Sequence, residues 1–329
     1  MNENNLDKPM NKQWFWHPKL PVGFYPYFDW PPKPKEIFNF VFLRWLQKSD
    51  RTIFLLLSFM TFYLLMPSLD IMSTLSFDWI SKLIIRNLIL FTIVAGGLHW
   101  WFYVKKGQDM KFKYDPHPMK KKSKLFSFGS QTYDNIFWSV VSGVTIWILY
   151  EILLLWSFGN GKIDVFYFKD GWFWFIIWFP LLQIWQSFHF YWWHRFLHIP
   201  IFYKLFHSVH HRNVNPGPLS GLSMHPVEHV IYFSTLLIHF IIPSHPLHVF
   251  YHIYWLVLGT VSTHAGYEEI WVRRKSLLQV GSFFHQIHHR YFNCNYGNPE
   301  IPFDRWFGSY HDGSEGCTIK LRKKNINLK

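Results

Sequence analysis

Cysteine and negative charge are both scarce in this chain. Its 329 residues include only two cysteines, Cys294 and Cys317, which gives no support to a disulfide framework and excludes a thiolate metal cluster by count. Asp and Glu number 20 against 33 Lys and Arg, and charged residues make up 16% of the chain. The opening residues, MNENNLDKPMNKQ, lack the charged-then-apolar layout of a cleavable signal peptide. We therefore predict no cleavage, and insertion into a membrane through internal segments.

Apolar and aromatic residues are abundant instead. Half of the residues are hydrophobic and 22% are aromatic, including 19 Trp and 35 Phe, and aromatic rings favour the water–lipid boundary. Apolar runs cover residues 52–67, 83–104, 136–156 and 172–193. The last three reach the roughly 20 residues that a spanning helix needs, whereas the first is borderline. We predict about four transmembrane helices.

Two further apolar runs, residues 230–243 and 247–262, are separated by a short proline-containing turn. They predict a helical hairpin that enters the membrane or lies against it. Histidines inside the hairpin make full exposure to lipid unfavourable. We expect ordinary hydrogen-bonded roles for these residues, which are His239, His245, His248 and His252.

Basic residues lie mostly on one side of the predicted spans. If residues 1–51, 105–135, 194–229 and 263–329 share a side, that side holds 29 of the 33 Lys and Arg. The positive-inside rule makes it the cytosolic side. We thus expect a multi-pass protein with both termini in the cytosol, in the endoplasmic reticulum of a eukaryote or the inner membrane of a bacterium. The same rule accounts for the net charge of +13, so nucleic acid is not an expected partner.

Three histidine clusters carry the chemical signal. On a helix, residues three and four apart share a face, so each cluster points two or three imidazoles in one direction. Eight such nitrogen ligands exceed the usual four of one zinc ion and suit two metal ions, of which iron, copper and zinc favour imidazole. The clusters are His194 with His198, then His207, His210 and His211, then His285, His288 and His289.

Two other kinds of site could use histidines of this chain, a haem site and a two-metal hydrolase site. Haem held by paired histidines would need single residues deep in two spans, such as His99 and His189, and it leaves the clustered residues unexplained. Two-metal hydrolases generally use several carboxylate ligands as well. Acidic residues near the clusters are few (Glu228, Glu268 and Glu269), which argues against hydrolysis.

The clusters and their surroundings resemble the fatty acid hydroxylase/sterol desaturase superfamily of membrane di-iron oxygenases. The three histidine clusters, called histidine boxes in this family, occur in the family's order. The segments between and after them are also similar, and the resemblance covers residues from about 172 to 312. These supporting segments are Asn215-Pro-Gly-Pro218, Met224-His225-Pro226-Val-Glu228, Thr263-His264-Ala-Gly266, Asn295-Tyr296-Gly297 and Asp304-Arg305-Trp-Phe307-Gly308.

The resemblance implies a set of metal ligands. It consists of the eight clustered histidines together with His264, because family members commonly place another ligand before the last box. Many members have a further histidine four residues later, where this chain has Glu268. Glu268, His225 and His229 are therefore candidates either to bind metal or to hydrogen-bond its ligands. The implied cofactors are two iron ions, with zinc able to replace them in purified protein, and O2 is the implied co-substrate.

The fold expected from these observations is an all-α integral membrane protein with a cytosolic, histidine-rich helical cap. We divide it into a lead-in (1–51), transmembrane helices with a basic loop at 105–135 (52–171), a catalytic domain (172–312) and a basic tail (313–329). The implied activity is O2-dependent hydroxylation or desaturation of a membrane lipid, sterol-like or fatty acyl, in lipid or sterol biosynthesis.

A separate electron-transfer protein, similar to cytochrome b5 or ferredoxin and served by a reductase, is the implied partner beside the lipid substrate and the membrane lipids. Complementary charge on the basic cytosolic surface would speed its docking. Two alternatives remain open at this point: a membrane haem electron carrier, and an inactive lipid-binding relative of the family.

Overall fold

The computed structural model describes residues 14–45 and 49–326 of the chain. Within these residues, two helices are long and apolar enough to cross a membrane, α4 (Phe77–Val104) and α5 (Gln131–Gly159). Only 22% of the most apolar 18-residue stretch of α4 is buried, so most of its side chains lie outside the protein interior. Such a face is more stable in lipid than in water. Residues 1–13, for which we predicted no cleavable signal peptide, lie outside the described residues.

The remaining helices are mostly shorter, and several pass from α-helical into π-helical turns. Before α4 come α1 (Pro34–Asn39), α2 (Asp50–Met60) and α3 (Leu69–Met72), and after α5 come α6 (Trp172–Leu197), α7 (residues 200–211), α8 (Pro226–Phe233), α9 (residues 246–263), α10 (Phe283–Tyr291), α11 (Phe303–Trp306) and α12 (Glu315–Ile326). Short 3-10 turns lie at Pro26–Phe28, Phe168–Asp170, Pro218–Ser220 and Ser234–Phe240.

The predicted apolar runs all fall in helices. Residues 83–104 lie in α4, which begins six residues earlier, at Phe77; residues 136–156 lie in α5. The borderline run at 52–67 forms α2 and the π-turn Thr61–Leu65. The run at 172–193 forms α6, whose 26 residues suffice in length, although its many Trp, Gln and His residues lower its hydropathy. The number of spans therefore stays a prediction.

The predicted hairpin forms with unequal limbs. Its first limb is α8 followed by the 3-10 turn Ser234–Phe240. The second limb, α9, is central: every residue of its first segment, Pro246–Tyr254, is buried. Apolar side chains from α2, α4, α5 and α6 pack around it in one large core. The interior position of α9 explains how this segment carries histidines without exposing them to lipid.

A small β-hairpin departs from the all-α prediction. Strand β1 (Glu269–Val272) pairs antiparallel with β2 (Lys275–Gln279). The connecting residues Arg273 and Arg274 both have positive φ, 48° and 63°, as a type I′ turn requires. That turn normally has Asn or Gly, so the sequence carries no recognisable signal for it. The hairpin joins the end of α9 to the start of α10.

The first described residues pack against the C-terminal part of the chain. Trp14 lies edge-on to Phe283 at 4.8 Å between ring centroids, and Phe24 contacts Phe284 at 5.5 Å. Backbone N–H groups of Val22 and Tyr25 donate to carbonyls of Asp312 and Pro299. Residues 14–28, which we call the N-terminal strap, are thereby fixed beside α10.

Candidate metal centre

Nine buried or half-buried histidines form two groups, in each of which the ligand nitrogens lie within 4.8 Å of one another. Their members are the nine histidines singled out from the sequence. The first group contains His194, His198, His207, His211 and His288. The second contains His210, His264, His285 and His289.

Four elements supply these side chains. The C-terminal end of α6 carries His194 and places His198 at its cap, and α7 carries the next three. His264 caps the C-terminal end of α9, and α10 presents its three histidines on one helix. The predicted spacing holds for histidines four apart, which share a group in every cluster. It does not hold for histidines three apart: His210 is separated from His207, and His288 from His285.

Backbone carbonyls fix the tautomer of several rings. His264 Nδ1 lies 2.7 Å from the carbonyl oxygen of Thr260, and His288 Nδ1 lies 2.7 Å from that of Cys294. His194 Nδ1 is 2.6 Å from the carbonyl of Tyr296. A carbonyl can only accept a hydrogen bond, so each Nδ1 carries the proton. The Nε2 atom of each ring is left with its lone pair free.

The free lone pairs point at one another. His264 Nε2 lies 3.4 Å from Nε2 of His210, whose Nδ1 is likewise 3.3 Å from a carbonyl, that of Ser223. With both protons on the Nδ1 side, neither Nε2 can donate to the other. His288 Nε2 and His211 Nε2 approach at 3.0 Å, where the lone pair of His288 is fixed by the Cys294 carbonyl. Convergent lone pairs without a proton between them are the donor arrangement that a metal cation needs, so the residues present fit a metal site.

Burial keeps these rings neutral. It lowers the pKa of His207, His210, His288 and His289 well below the ordinary 6.5, and the pKa of His264 to about 4. A second cause for the first four rings is repulsion from neighbouring histidines. Neutral imidazole is the form that binds metals, so the site is prepared for them at pH 7.

Glu228 is the acidic residue that contacts a grouped histidine directly. Its Oε1 lies 2.7 Å from Nδ1 of His207, and the carboxyl is almost fully buried in α8. Burial raises the pKa of Glu228 well above its usual range. Sequence reasoning noted Glu228 only as a nearby acid and as part of a supporting segment. Glu228 lies in α8, the helix after α7, and its sequence position did not indicate which imidazole it would contact.

Asp304 supports the site from further away. Its carboxylate accepts hydrogen bonds from the backbone N–H groups of Tyr296 and Gly297, both at 2.8 Å, and from the hydroxyl of Ser309 at 2.6 Å. These bonds hold the loop whose Tyr296 carbonyl fixes His194. The similarity of the segments around Asn295 and Asp304 to the family thus has a structural basis in this loop.

The three additional candidates lie outside both groups. Glu268 Oε2 accepts a hydrogen bond from the Tyr114 hydroxyl at 2.6 Å. His225 caps α8, where its Nδ1 accepts from the backbone N–H of Val227. His229 Nδ1 bonds Ser142 Oγ at 2.7 Å. Their direct binding of metal stays a prediction without support from the grouping.

Histidines away from the groups have ordinary partners, as expected. His239 bonds Ser244 and His252, and His248 Nε2 lies 2.8 Å from the Phe175 carbonyl. Of the pair considered for haem, His189 Nε2 bonds Ser234 Oγ, whereas the ring of His99 stacks on Tyr103 and its buried Nδ1 has no hydrogen-bond partner among the described residues.

Comparison with known proteins shows which family the histidine-bearing region resembles. Residues 179–309 match the family model described as fatty acid hydroxylase. This region belongs to the fatty acid hydroxylase/sterol desaturase superfamily. We refer to residues 179–309 below as the hydroxylase domain; it contains all nine grouped histidines.

Three curated relatives illustrate the similarity. A Δ7-sterol 5(6)-desaturase of Aspergillus fumigatus is 34% identical over 43% of this chain and 39% of its own length. A putative methylsterol monooxygenase of Dictyostelium discoideum is 32% identical over 43% of this chain and 53% of its own. A very-long-chain aldehyde decarbonylase of Oryza sativa is 35% identical over 39% and 50%. The chain thus spans about half the length of these relatives or less. No solved structure matches it.

A cavity of about 490 Å³ opens beside the hydroxylase domain's histidines. His194, His207, His210, His264 and His285 all lie on its wall. Much of the remaining wall comes from outside the domain, namely from the N-terminal strap and the start of α2. Its volume falls in the range of small-molecule sites, roughly 300–1,000 Å³.

Proposed function

We propose that this protein is an O2-dependent oxidoreductase that hydroxylates or desaturates a membrane lipid at a centre of two iron ions. The observation that carries the proposal is the convergence of nine imidazoles into two groups beside a cavity. One group per ion accounts for the whole set. The names of the relatives, sterol desaturase, methylsterol monooxygenase and aldehyde decarbonylase, all describe chemistry on lipid-like molecules.

The proposed ligands are His194, His198, His207, His211 and His288 for one ion and His210, His264, His285 and His289 for the other. Bound iron would supply the reduction of O2 and the oxidising power to break an unactivated C–H bond. Zinc would occupy the same imidazoles without redox chemistry. The chain's own part is to hold the rings rigidly through their Nδ1 partners, which tunes metal affinity as well as orientation.

The cavity would place the lipid against this centre. Three residues of α6 around His194 line it: Phe190 one turn before, Trp193 directly before and Leu197 one turn after. These apolar walls would exclude water from the reacting carbon, because a hydrocarbon chain or ring gains stability by leaving water. Trp193 is 40% exposed, which suits entry of a lipid at this point.

Electrons would come from a separate carrier protein. The loop between α4 and α5 carries several exposed lysines, among them Lys121, Lys122 and Lys124. A basic surface of this kind attracts an acidic partner and raises its association rate. We propose that this loop and the metal centre share the cytosolic side of the membrane.

Lipid analysis of a host with and without the protein tests the activity. We expect a lipid that gains one oxygen atom or loses two hydrogen atoms, only when O2 is present. The matched pair is His288→Ala, which should abolish the product, and His239→Ala, a buried histidine outside both groups, which should retain it. Product formation without O2 would contradict an oxygenase. A Soret absorption band with no non-haem iron would favour a haem carrier instead.

A further inference from the structure

One histidine on the cavity wall belongs to neither histidine group. His189 lies in α6, five residues before His194, and both side chains line the cavity. The helical rise separates them by about 7.5 Å along the helix axis. The His189 ring contacts Trp185 and Trp193, at 6.1 and 6.2 Å between ring centroids. His189 is thus a polar side chain among aromatic ones, close to the first histidine group.

Hydrogen bonding fixes which nitrogen of His189 carries the proton. The hydroxyl of Ser234 donates its only hydrogen to the backbone carbonyl of Ile231, at 2.7 Å. Nε2 of His189 lies 2.9 Å from the same hydroxyl oxygen, so that oxygen accepts and Nε2 donates. A neutral imidazole has one N–H, and Nδ1 of His189 is therefore left as an acceptor.

This acceptor has no protein partner and is open to the cavity. Among the described residues, none hydrogen-bonds His189 Nδ1, and the atom does not belong to the fully buried unpartnered atoms of the chain. It keeps accessible surface on a residue that lines the cavity. The same holds for the amide nitrogen of Gln186, one turn earlier on this wall, because the amide oxygen faces Nε2 of His252 at 3.1 Å. An acceptor and a donor therefore lie three residues apart on one face of α6.

The chemistry of these two atoms selects the group that they can bind. A hydroxyl gives its proton to His189 Nδ1 and accepts from the amide nitrogen of Gln186. An ionised carboxylate or a phosphate oxygen only accepts, so it would face the lone pair of His189 with no proton between them. An ether oxygen fails for the same reason. A neutral hydroxyl is thus matched by both atoms, and an anion or an ether is not.

We propose that His189 and Gln186 bind an uncharged hydroxyl group of the lipid substrate in the part of the cavity next to His194. The inference rests on the proposed function for the lipid nature of the substrate. It adds that the substrate is a lipid alcohol and not a free fatty acid. It also assigns this selectivity to a face of α6 that precedes the first histidine box.

Equilibrium binding of defined lipids by the full-length protein in nanodiscs tests this without O2 or turnover. The probes are cholesterol, its 3-methyl ether and its 3-deoxy analogue; hexadecanol, its methyl ether and hexadecane; and palmitate. At least one alcohol should bind roughly ten-fold more tightly than both its ether and its deoxy analogue, since the ether keeps the oxygen but lacks the proton that His189 accepts. Equal binding of alcohol and ether, equal binding of alcohol and deoxy analogue, tightest binding of palmitate, or no lipid binding would overturn the proposal.

A single substitution locates the effect. His189→Phe keeps a ring of similar size but removes the acceptor, and it should reduce binding of the preferred alcohol to the level of its deoxy analogue. The control is His248→Phe. His248 is another buried histidine, bonded to the carbonyl of Phe175, and it does not line this cavity, so the control should keep the preference. Loss of the preference in both variants would assign the effect to general packing and overturn the role of His189. If His189→Phe does not fold, the wild-type probe series still decides.

The outcome is separable from that of the proposed function. Metal content and lipid oxidation are measured on the same preparation. Oxidation without any hydroxyl preference would remove only the subsite, whereas hydroxyl preference in a protein that never oxidises lipid would remove only the proposed activity.

Discussion

Glu228 Oε1 is hydrogen-bonded to Nδ1 of His207 at 2.7 Å. The opposite nitrogen of that ring, Nε2, faces the grouped histidine His198 at 3.2 Å. This carboxyl–imidazole pair is buried, with the two side chains 5% and 1% exposed. A cation on the Nε2 side would stabilise the carboxylate and draw the proton onto the ring nitrogen. Carboxylates placed in this way orient metal-bound imidazoles and raise their basicity.

Removing this carboxylate should weaken metal binding without removing a ligand. For Glu228→Ala we expect metal affinity to fall by roughly 10- to 100-fold, measured by competition with a chromophoric chelator. Glu36→Ala, which removes an exposed carboxylate paired with Lys33, should behave like wild type. Unchanged affinity in Glu228→Ala would show that the pair serves packing alone.

Each histidine group should lose its metal ion independently of the other. The variant His207→Ala/His288→Ala removes two rings of the first group, and His285→Ala/His289→Ala removes two of the second. Metal analysis should give close to two transition-metal ions for wild type and one for each variant, because each group retains its own ligands. Finding a single ion in wild type would contradict a two-metal centre.

Metal-free protein should lose stability in mild acid. The folded chain holds the pKa of His264 at about 4 through burial, whereas an unfolded histidine titrates near 6.5. The unfolded state therefore binds more protons between these values, and the folded state becomes less favourable as pH falls through that window. Above pH 6.5 the contribution of His264 is complete. We expect the free energy of unfolding of chelator-treated protein to fall from pH 6.5 to 4, by up to about 1.4 kcal/mol per pH unit for each such histidine. The measurement is a steady drop in Tm over the same pH range.

Bound metal should oppose this acid loss, because it binds only the folded, neutral rings. The comparison is a second Tm series at the same pH values with metal present. A flat profile for the metal-free protein would mean that the rings take up protons while folded, contrary to their burial.

Gly281 should tolerate no side chain. It has φ of 70°, and a Cβ there would meet the carbonyl oxygen of Tyr267 at 2.0 Å. Gly129 has φ of 67° but open space around it. We expect Gly129→Ala to cost about 1–2 kcal/mol, the price of a left-handed conformation, and Gly281→Ala considerably more. Both are measured by thermal unfolding, and equal effects would contradict the close contact seen here.

The eight clustered histidines could be predicted from the sequence because helical spacing brings rings of one cluster onto a shared face, whereas His264 was predicted only from the family resemblance. The division of His210 from His211 could not, since it depends on how four separate elements meet. The hydrogen-bond partners of the rings could not be predicted either. His194 and His288 bond the backbone carbonyls of Tyr296 and Cys294, and every residue type has such a carbonyl. The β-hairpin was missed because Arg273 and Arg274 occupy positions where Asn or Gly is usual.

The cavity wall was equally beyond the sequence. Arg51 and Glu300 are separated by 249 residues, and nothing in their local sequence connects them. Their contact depends on the N-terminal strap and α2 folding onto the segment after α10. Pattern reasoning works where one element decides the answer and fails where several must come together.

The N-terminal strap has an evolutionary consequence. Since it and α2 shape the cavity without supplying any grouped histidine, mutations there would, under the proposed function, alter which lipid is accepted and leave the grouped histidines intact. New specificities would then arise by drift in a region that similarity searches pass over. Two chains with identical histidine boxes need not share a substrate.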